Sequence, residues 1–235
     1  MTTFTLDQIA ELRNLEKRRL KLGRPGLHAE LQRLIADLAA ENNHVFPGYE
    51  STHVEQARKL WQKGWGRELG YKRFKAYLSS IPCYSRELDA GDMRFPLLIL
   101  VDARISIVKT CELLSVKCEE ADDAFEDFDA KLARTEKIYW IRMQDGKKNR
   151  NKSIQACREE FAGDECGLTV HEGLALYAQI RNDFRGMGME LTDSVSRKDH
   201  SWAASLCWCS SRRPALSWGF VNSALPIYGS GSRRK

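Results

Sequence analysis

Residues Lys137–Lys152 read KIYWIRMQDGKKNRNK, and the parsing of this run decides the fold. Ile138, Trp140 and Arg142 alternate with Tyr139, Ile141 and Met143, the period of two that sends successive side chains to opposite faces of a strand. Gln144-Asp145-Gly146-Lys147 has turn chemistry. Lys147, Lys148, Arg150 and Lys152 follow, with Asn149 and Asn151 between them. Ser153 is placed to cap a helix over 154–162. The stretch predicts a strand, a tight turn and a basic segment leading into a helix.

Downstream, 163–167 turns the chain, and Thr169 with Glu172 three residues on has the form of a capping box for a helix reaching about Arg181. Helices 153–162 and 169–181 have the spacing of a helix-turn-helix, a weak signal, since any two helices joined by a glycine-containing loop share it. From Arg185 the pattern changes. Gly186-Met187-Gly188 and polar residues predict a loop, followed by short β-like pieces at 204–208, 216–220 and 224–228 with Trp202, Trp208 and Trp218 as anchors. The sequence ends YGSGSRRK.

Upstream, Phe95–Val101 (FPLLILV) predicts a buried strand, with Asp102 at its carboxyl end either as a site residue or as the cap of a helix over 103–115. Residues 119–129 (EEADDAFEDFD) are acidic and predict a solvated loop. Helical spacing recurs from about Ser51 and from Leu69 to Ser79, where Pro82 stops it. Trp61, Trp65 and Tyr71 interleave there with Lys59, Lys63, Arg67, Lys72, Arg73 and Lys75, a pattern that suits either single-stranded nucleic acid or a core with a solvated face. Thr5-Leu6-Asp7-Gln8 caps a helix to Leu22, Gly23–Gly26 breaks it, and Leu27, Leu31, Leu34, Ile35 and Leu38 form one apolar stripe on a second. The reading is an α+β fold: a helical N-terminal half and a mixed C-terminal half with a small β-sheet. Its parts are an αα-hairpin over 1–45 and a mixed domain over 50–235 with the basic turn at 144–152.

A chain of 235 residues, 43% of them apolar, supports a core without disulfides. Seven cysteines at irregular spacing, after a charged N-terminal run with no apolar signal core, predict reduced thiols in the cytoplasm. No apolar run is long enough to span a bilayer. The net charge of +5 is uneven: residues 91–135 hold six Lys/Arg against ten Asp/Glu, whereas 136–160 hold seven against four.

Neither a cofactor motif nor a metal motif is present. Cys157, Cys166, Cys207 and Cys209 with His171 or His200 offer donors, but structural zinc sites pair cysteines at C-x2-C spacings and only Cys207-x-Cys209 is close. Cys166 and His171 lack an orienting third partner. Phosphate-loop, nucleophile-elbow, dinucleotide and zincin signatures are all missing. Asp102, Asp145 and His171, with Glu112 and Lys147, can be drawn into an acidic enzyme site of unidentified class, although most chains of this length allow such a drawing.

The runs FPLLILVDARISIVKTCELL, EKIYWIRMQDGKKNRNKS, DECGLTVHEGLALYAQ and PIYGSGSRRK resemble a family of uncharacterised bacterial proteins that share Y-W-I-R-x-Q-D-G, G-L-T-x-x-E-G-L-A-L and a terminal Y-G-S-x-S-R. The resemblance runs from about Arg94 to the end and implies no activity. The residues themselves lead first to non-enzymatic binding of a polyanion, nucleic acid above all, through Arg142, Lys147, Lys148, Arg150 and Lys152. The alternatives are the enzyme site near Asp102, Asp145 and His171, or a protein partner held through the hairpin at residues 6–41.

Overall fold

The computed structural model describes residues 51–84, 92–132, 134–180, 186–208 and 213–235. The chain divides after Glu50, and every described residue belongs to the second unit. The expected hairpin, with its apolar stripe and any partner it holds, lies outside the described residues, as does Cys209.

Three short helices come first: α1 (Ser51–Lys63), α2 (Trp65–Glu68) and α3 (Phe74–Ser79). Strand β1 (Leu97–Asp102), α4 (Ile107–Leu114), β2 (Lys117–Cys118), β3 (Phe125–Asp127) and β4 (Ile138–Gln144) follow. Then come α5 (Ile154–Glu160), β5 (Glu165–Gly167) and α6 (Val170–Ile180), and the rest is strand: β6 (Gly188–Ser196), β7 (Trp202–Trp208), β8 (Pro214–Phe220), β9 (Tyr228–Ser230) and β10 (Ser232–Arg234).

The strands make two sheets. One has the order β1-β4-β10-β5 and is antiparallel throughout. The other runs β2-β8-β7-β6-β3, with β9 added parallel to β6. The expectation of a helical N-terminal half beside a small sheet is therefore wrong. Ten strands in two sheets dominate the described residues, and the six helices are short. The error has a physical origin. Gly188–Ser196 (GMELTDSVS) alternates Met189, Leu191 and Val195 with polar residues but is broken by Asp193, and all but its last residue are buried, because Glu190, Asp193 and Ser194 find polar partners inside. The acidic run is likewise not a plain loop: Phe125–Asp127 pairs with β6 at Phe125↔Ser196.

Helix α6 holds the sheets together. Nine of its residues are buried, and it packs against β1 on one side and β6 and β7 on the other. A helix apolar around its whole circumference belongs inside a protein, so it cannot serve as the recognition helix of a helix-turn-helix. Helix α1 covers the outer edge of β1. The Gln56 side-chain amide donates to the Leu98 carbonyl (2.7 Å) and accepts from the Leu100 N–H (2.8 Å), as a neighbouring strand would. The aromatics near the basic residues 59–75 face inward. Trp65 is 2% exposed, and Trp61 and Tyr71 lie against Tyr77 at 5.9 and 5.7 Å. Trp65 is core, and the half-buried Trp61 and Tyr71 are packed against Tyr77.

The last residues link the sheets. β9 joins β6 in one, and β10 inserts between β4 and β5 in the other. The turn at Asp145-Gly146 receives this tail. Gln144 Nε2 donates to Ser230 O (3.0 Å) and Ser232 Oγ (2.8 Å), Asn149 Nδ2 donates to Ser230 O (2.9 Å), and Gly146 N donates back to Gln144 Oε1 (2.6 Å).

A candidate ligand-binding cavity

Beside the start of α6 lies a half-open cavity of about 640 Å³. Its walls come from the start of α4, β3, the connection from β3 to β4, Tyr139 of β4, the first turn of α6 and Arg233 of β10. An irregularity in β6 shapes it. Leu191 pairs with Ala204, but the next pair is Val195 with Ala203, so residues 192–194 bulge from the ladder. The bulge reaches the other sheet, where the Asp193 N–H donates to Leu168 O (3.1 Å) and Ser194 Oγ accepts the Val170 N–H (3.0 Å) at the start of α6.

At the inner end lies a buried ion pair. Arg233 is 2% exposed and Glu172 is 0% exposed. Arg233 Nε lies 2.8 and 2.9 Å from the two Glu172 oxygens, and its Nη2 is 3.4 Å from Asp193. Glu172 also accepts the Tyr139 hydroxyl (3.2 Å) and the Thr169 N–H (2.9 Å). The capping box expected at Thr169 and Glu172 thus forms, and its carboxylate does a second task by neutralising Arg233. With both oxygens committed, Glu172 is an anchor of the wall and not a free base. Burial, followed by the Glu172 charge, raises the Tyr139 pKa, so its hydroxyl stays protonated and donates.

Three groups on the cavity lining have no side-chain hydrogen bond or ion pair among the described residues: Asp127, Lys137 and His171. Partial burial, and next the Glu172 charge, raise the Asp127 carboxyl above its ordinary value, while Arg233 and Lys137 pull it back. Burial pushes the half-buried His171 down to about 4, with Lys137 adding in the same direction, so the imidazole is neutral at physiological pH. Arg134 lies over the Tyr139 ring, 4.7 Å from its centroid, and 3.9 Å from Glu172. The other acids on the lining are occupied. Asp122 accepts the Val108 N–H (2.9 Å), and Glu126 pairs with Arg197 (3.6 Å) and with His200.

Of the residues expected to form an enzyme site, only His171 reaches the cavity. Asp102 is buried, accepts the Tyr77 hydroxyl (3.0 Å) and pairs bidentately with Arg104 (2.8 and 2.7 Å). The cap of α4 is Ser106, not Asp102. Asp102 faces Ile138 in the register, and Asp145 follows the far end of the same ladder. At a rise near 3.4 Å per residue they stand roughly 20 Å apart. Asp145 pairs with Lys147 (2.6 Å).

The basic turn is partly compensated. Lys147 has Asp145, Lys152 has Glu160, and Arg142 donates to Pro96 O (3.3 Å). Lys148 and Arg150 remain exposed. Helix α5 is only seven residues long, and the Ser153 hydroxyl already caps it. The cysteine and histidine donors do not converge: among the described residues no three Cys, His, Asp or Glu side chains are grouped to hold a metal. Cys207 is disulfide-bonded, contrary to the expectation of uniformly reduced thiols. Among the described residues no helix is long and apolar enough to cross a membrane.

Sequence reasoning missed Arg233, Asp193, Tyr139 and Asp127. No local signal pointed to them: Tyr139, Gln144, Glu172 and Ser230 to Arg233 lie far apart in the sequence and meet only through the fold. No protein-family model matches the chain, and neither a curated protein nor a solved structure does.

Proposed function

We propose that this protein binds a small polar molecule in the cavity beside α6. The observation that carries the reading is the pairing of a fully compensated wall with three uncommitted polar groups. The Glu172–Arg233 pair is buried and satisfied, while the half-buried His171 and the exposed Asp127 and Lys137 line the cavity without partners among the described residues. Ligand sites commonly combine a preformed hollow of this size with a few convergent polar groups. The chemistry suits a ligand that offers a hydrogen-bond donor or cationic group to Asp127 and a neutral donor or acceptor to His171, with Arg134 and Lys137 near for an anionic group.

Thermal unfolding with a panel of amino acids, dicarboxylates, amines and nucleoside monophosphates tests this. A compound present at about a hundred times its Kd stabilises by about 2.7 kcal/mol, a rise of about 5–10 °C for a domain of this size. The rise should disappear in Asp127→Asn and His171→Ala. A panel without effect, or a rise unchanged in both variants, would remove the proposal.

A second reading retains the exposed cations Lys148 and Arg150, at the tip of the 144–152 turn, as contacts to the phosphates of a nucleic acid. It is supported by their exposure and by the absence of carboxylate partners for them among the described residues. The ion pairs of Lys147 and Lys152 reduce the cationic set available to it.

A further inference from the structure

Two unpaired charges of opposite sign stand on the cavity lining. Asp127 closes β3, the edge strand of the second sheet, where it faces Ser194 of the β6 bulge. Lys137 leads into β4 of the first sheet, and its carbonyl accepts the Ala103 N–H (2.7 Å). Both line the same cavity, and neither side chain has a hydrogen bond or an ion pair among the described residues, not even with the other. Opposite charges that share a hollow without meeting leave room between them for a molecule that carries both.

The rest of the lining narrows the choice. Its other acids are held: Glu172 by Arg233, Glu126 by Arg197, Asp122 by the Val108 N–H, and Glu136 by the Thr135 hydroxyl (3.4 Å). Burial keeps His171 neutral above about pH 4, so it adds a hydrogen-bonding group and no charge. An apolar wall lies close to the acid. Phe125 stands two residues before Asp127 on β3, so the two side chains share a face, roughly 7 Å apart along the strand. Ile107 and Val170, the first residues of α4 and α6, line the cavity with it, and all three are buried.

Resting on the reading of this cavity as a ligand site, we propose that its ligand class is the free α-amino acids with apolar side chains. The ammonium meets Asp127, the carboxylate meets Lys137, and the side chain lies along Phe125, Ile107 and Val170. The flexible four-carbon stem of Lys137 brings its charge to the carboxylate without movement of the backbone. A cavity of about 640 Å³ has room for leucine or phenylalanine. A monoamine leaves Lys137 unanswered and a monocarboxylate leaves Asp127 unanswered, so the zwitterion binds more tightly than either.

Isothermal titration calorimetry on the whole chain tests this with L-leucine and L-phenylalanine, each beside two relatives that carry one charge. These are 3-methylbutylamine and 4-methylpentanoate for leucine, and 2-phenylethylamine and 3-phenylpropanoate for phenylalanine. At least one amino acid should bind, and its relatives should bind about tenfold or more weakly, the loss expected with one hydrogen bond to a charged group. In Asp127→Asn the advantage of the amino acid over the carboxylate should disappear. In Lys137→Gln its advantage over the amine should disappear. Both positions are exposed, so each variant should unfold at the wild-type temperature when no ligand is present. A relative that binds as tightly as its amino acid, or a preference for the zwitterion that survives both substitutions, would overturn the inference and leave the cavity reading standing. Absence of binding by both amino acids would also overturn it. The cavity reading falls with it only if the wider panel of dicarboxylates, amines and nucleoside monophosphates gives no rise in unfolding temperature that Asp127→Asn and His171→Ala remove.

Discussion

Glu190 shows what burial does to one residue. It is 2% exposed, and its carboxyl receives the Ser230 hydroxyl at 2.9 Å. Burial pushes its pKa from 4.5 to about 7, and the Ser230 hydrogen bond opposes that only in part. The folded state therefore holds this proton more tightly than the unfolded chain does. Stability from Glu190 is complete below about pH 4.5 and is lost as pH rises through about 7. A separation of that size is worth about 3 kcal/mol. In Glu190→Gln the side chain stays neutral, so urea midpoints should show the variant gaining on the wild type by up to about 3 kcal/mol between pH 5 and pH 8. A difference that stays constant over this range would mean that Glu190 does not titrate there. Arg233 illustrates the opposite outcome at the same scale: a charge just as deeply buried stays ionised because Glu172 sits against its Nε.

At the scale of elements, the turn after β4 and the tail strand β9 approach more closely than side chains allow. Gly146 has φ +85°, and a Cβ on Gly229 would stand 2.1 Å from the Gly146 carbonyl oxygen. Both partners are backbone, so neither yields without moving a strand. Gly229→Ala should lower stability by about 1–3 kcal/mol or more, measured by chemical denaturation. Gly163→Ala, where an added Cβ meets nothing within 4 Å, should leave it nearly unchanged and serves as the control. Equal effects at the two positions would argue against the close approach. The turn itself was plain in the sequence, since Asp-Gly at that point is local chemistry. Its purpose was not: Gln144 and Asn149 receive a strand more than eighty residues away. Strand β6 went unread for a related reason. Its polar residues look solvated until their partners on Leu168, Val170 and Ser230 are known.

For the whole molecule, charge is spread and not concentrated. A net +5 with many local ion pairs gives a weak long-range field. If the basic turn does hold nucleic acid, Lys148 and Arg150 carry it, and about two phosphate contacts give a slope near −2 in log affinity against log salt. Fluorescence anisotropy with a labelled duplex should then show binding at low salt that Lys148→Ala with Arg150→Ala removes. Absence of binding at low salt would eliminate this second reading and leave the cavity.

By itself the sequence determined what depends on neighbours along the chain. Among these are the strand over Ile138–Gln144, the glycine turn, the buried strand before Asp102, the Thr169–Glu172 capping box and the helix it starts. Each rests on periodicity or on hydrogen bonds within a few residues. The tertiary structure alone decided that strands outweigh helices, that α6 lies between two sheets, and that a cavity opens beside it. It also decided the fate of the charges. Arg233 stands in the run YGSGSRRK with no acidic residue near it in the sequence, yet it neutralises Glu172 from 61 residues away. The physical reason is that burying a charge costs several kcal/mol unless a partner meets it, and for Arg233 and Glu172 that partner is brought up by the fold and not by the neighbouring sequence.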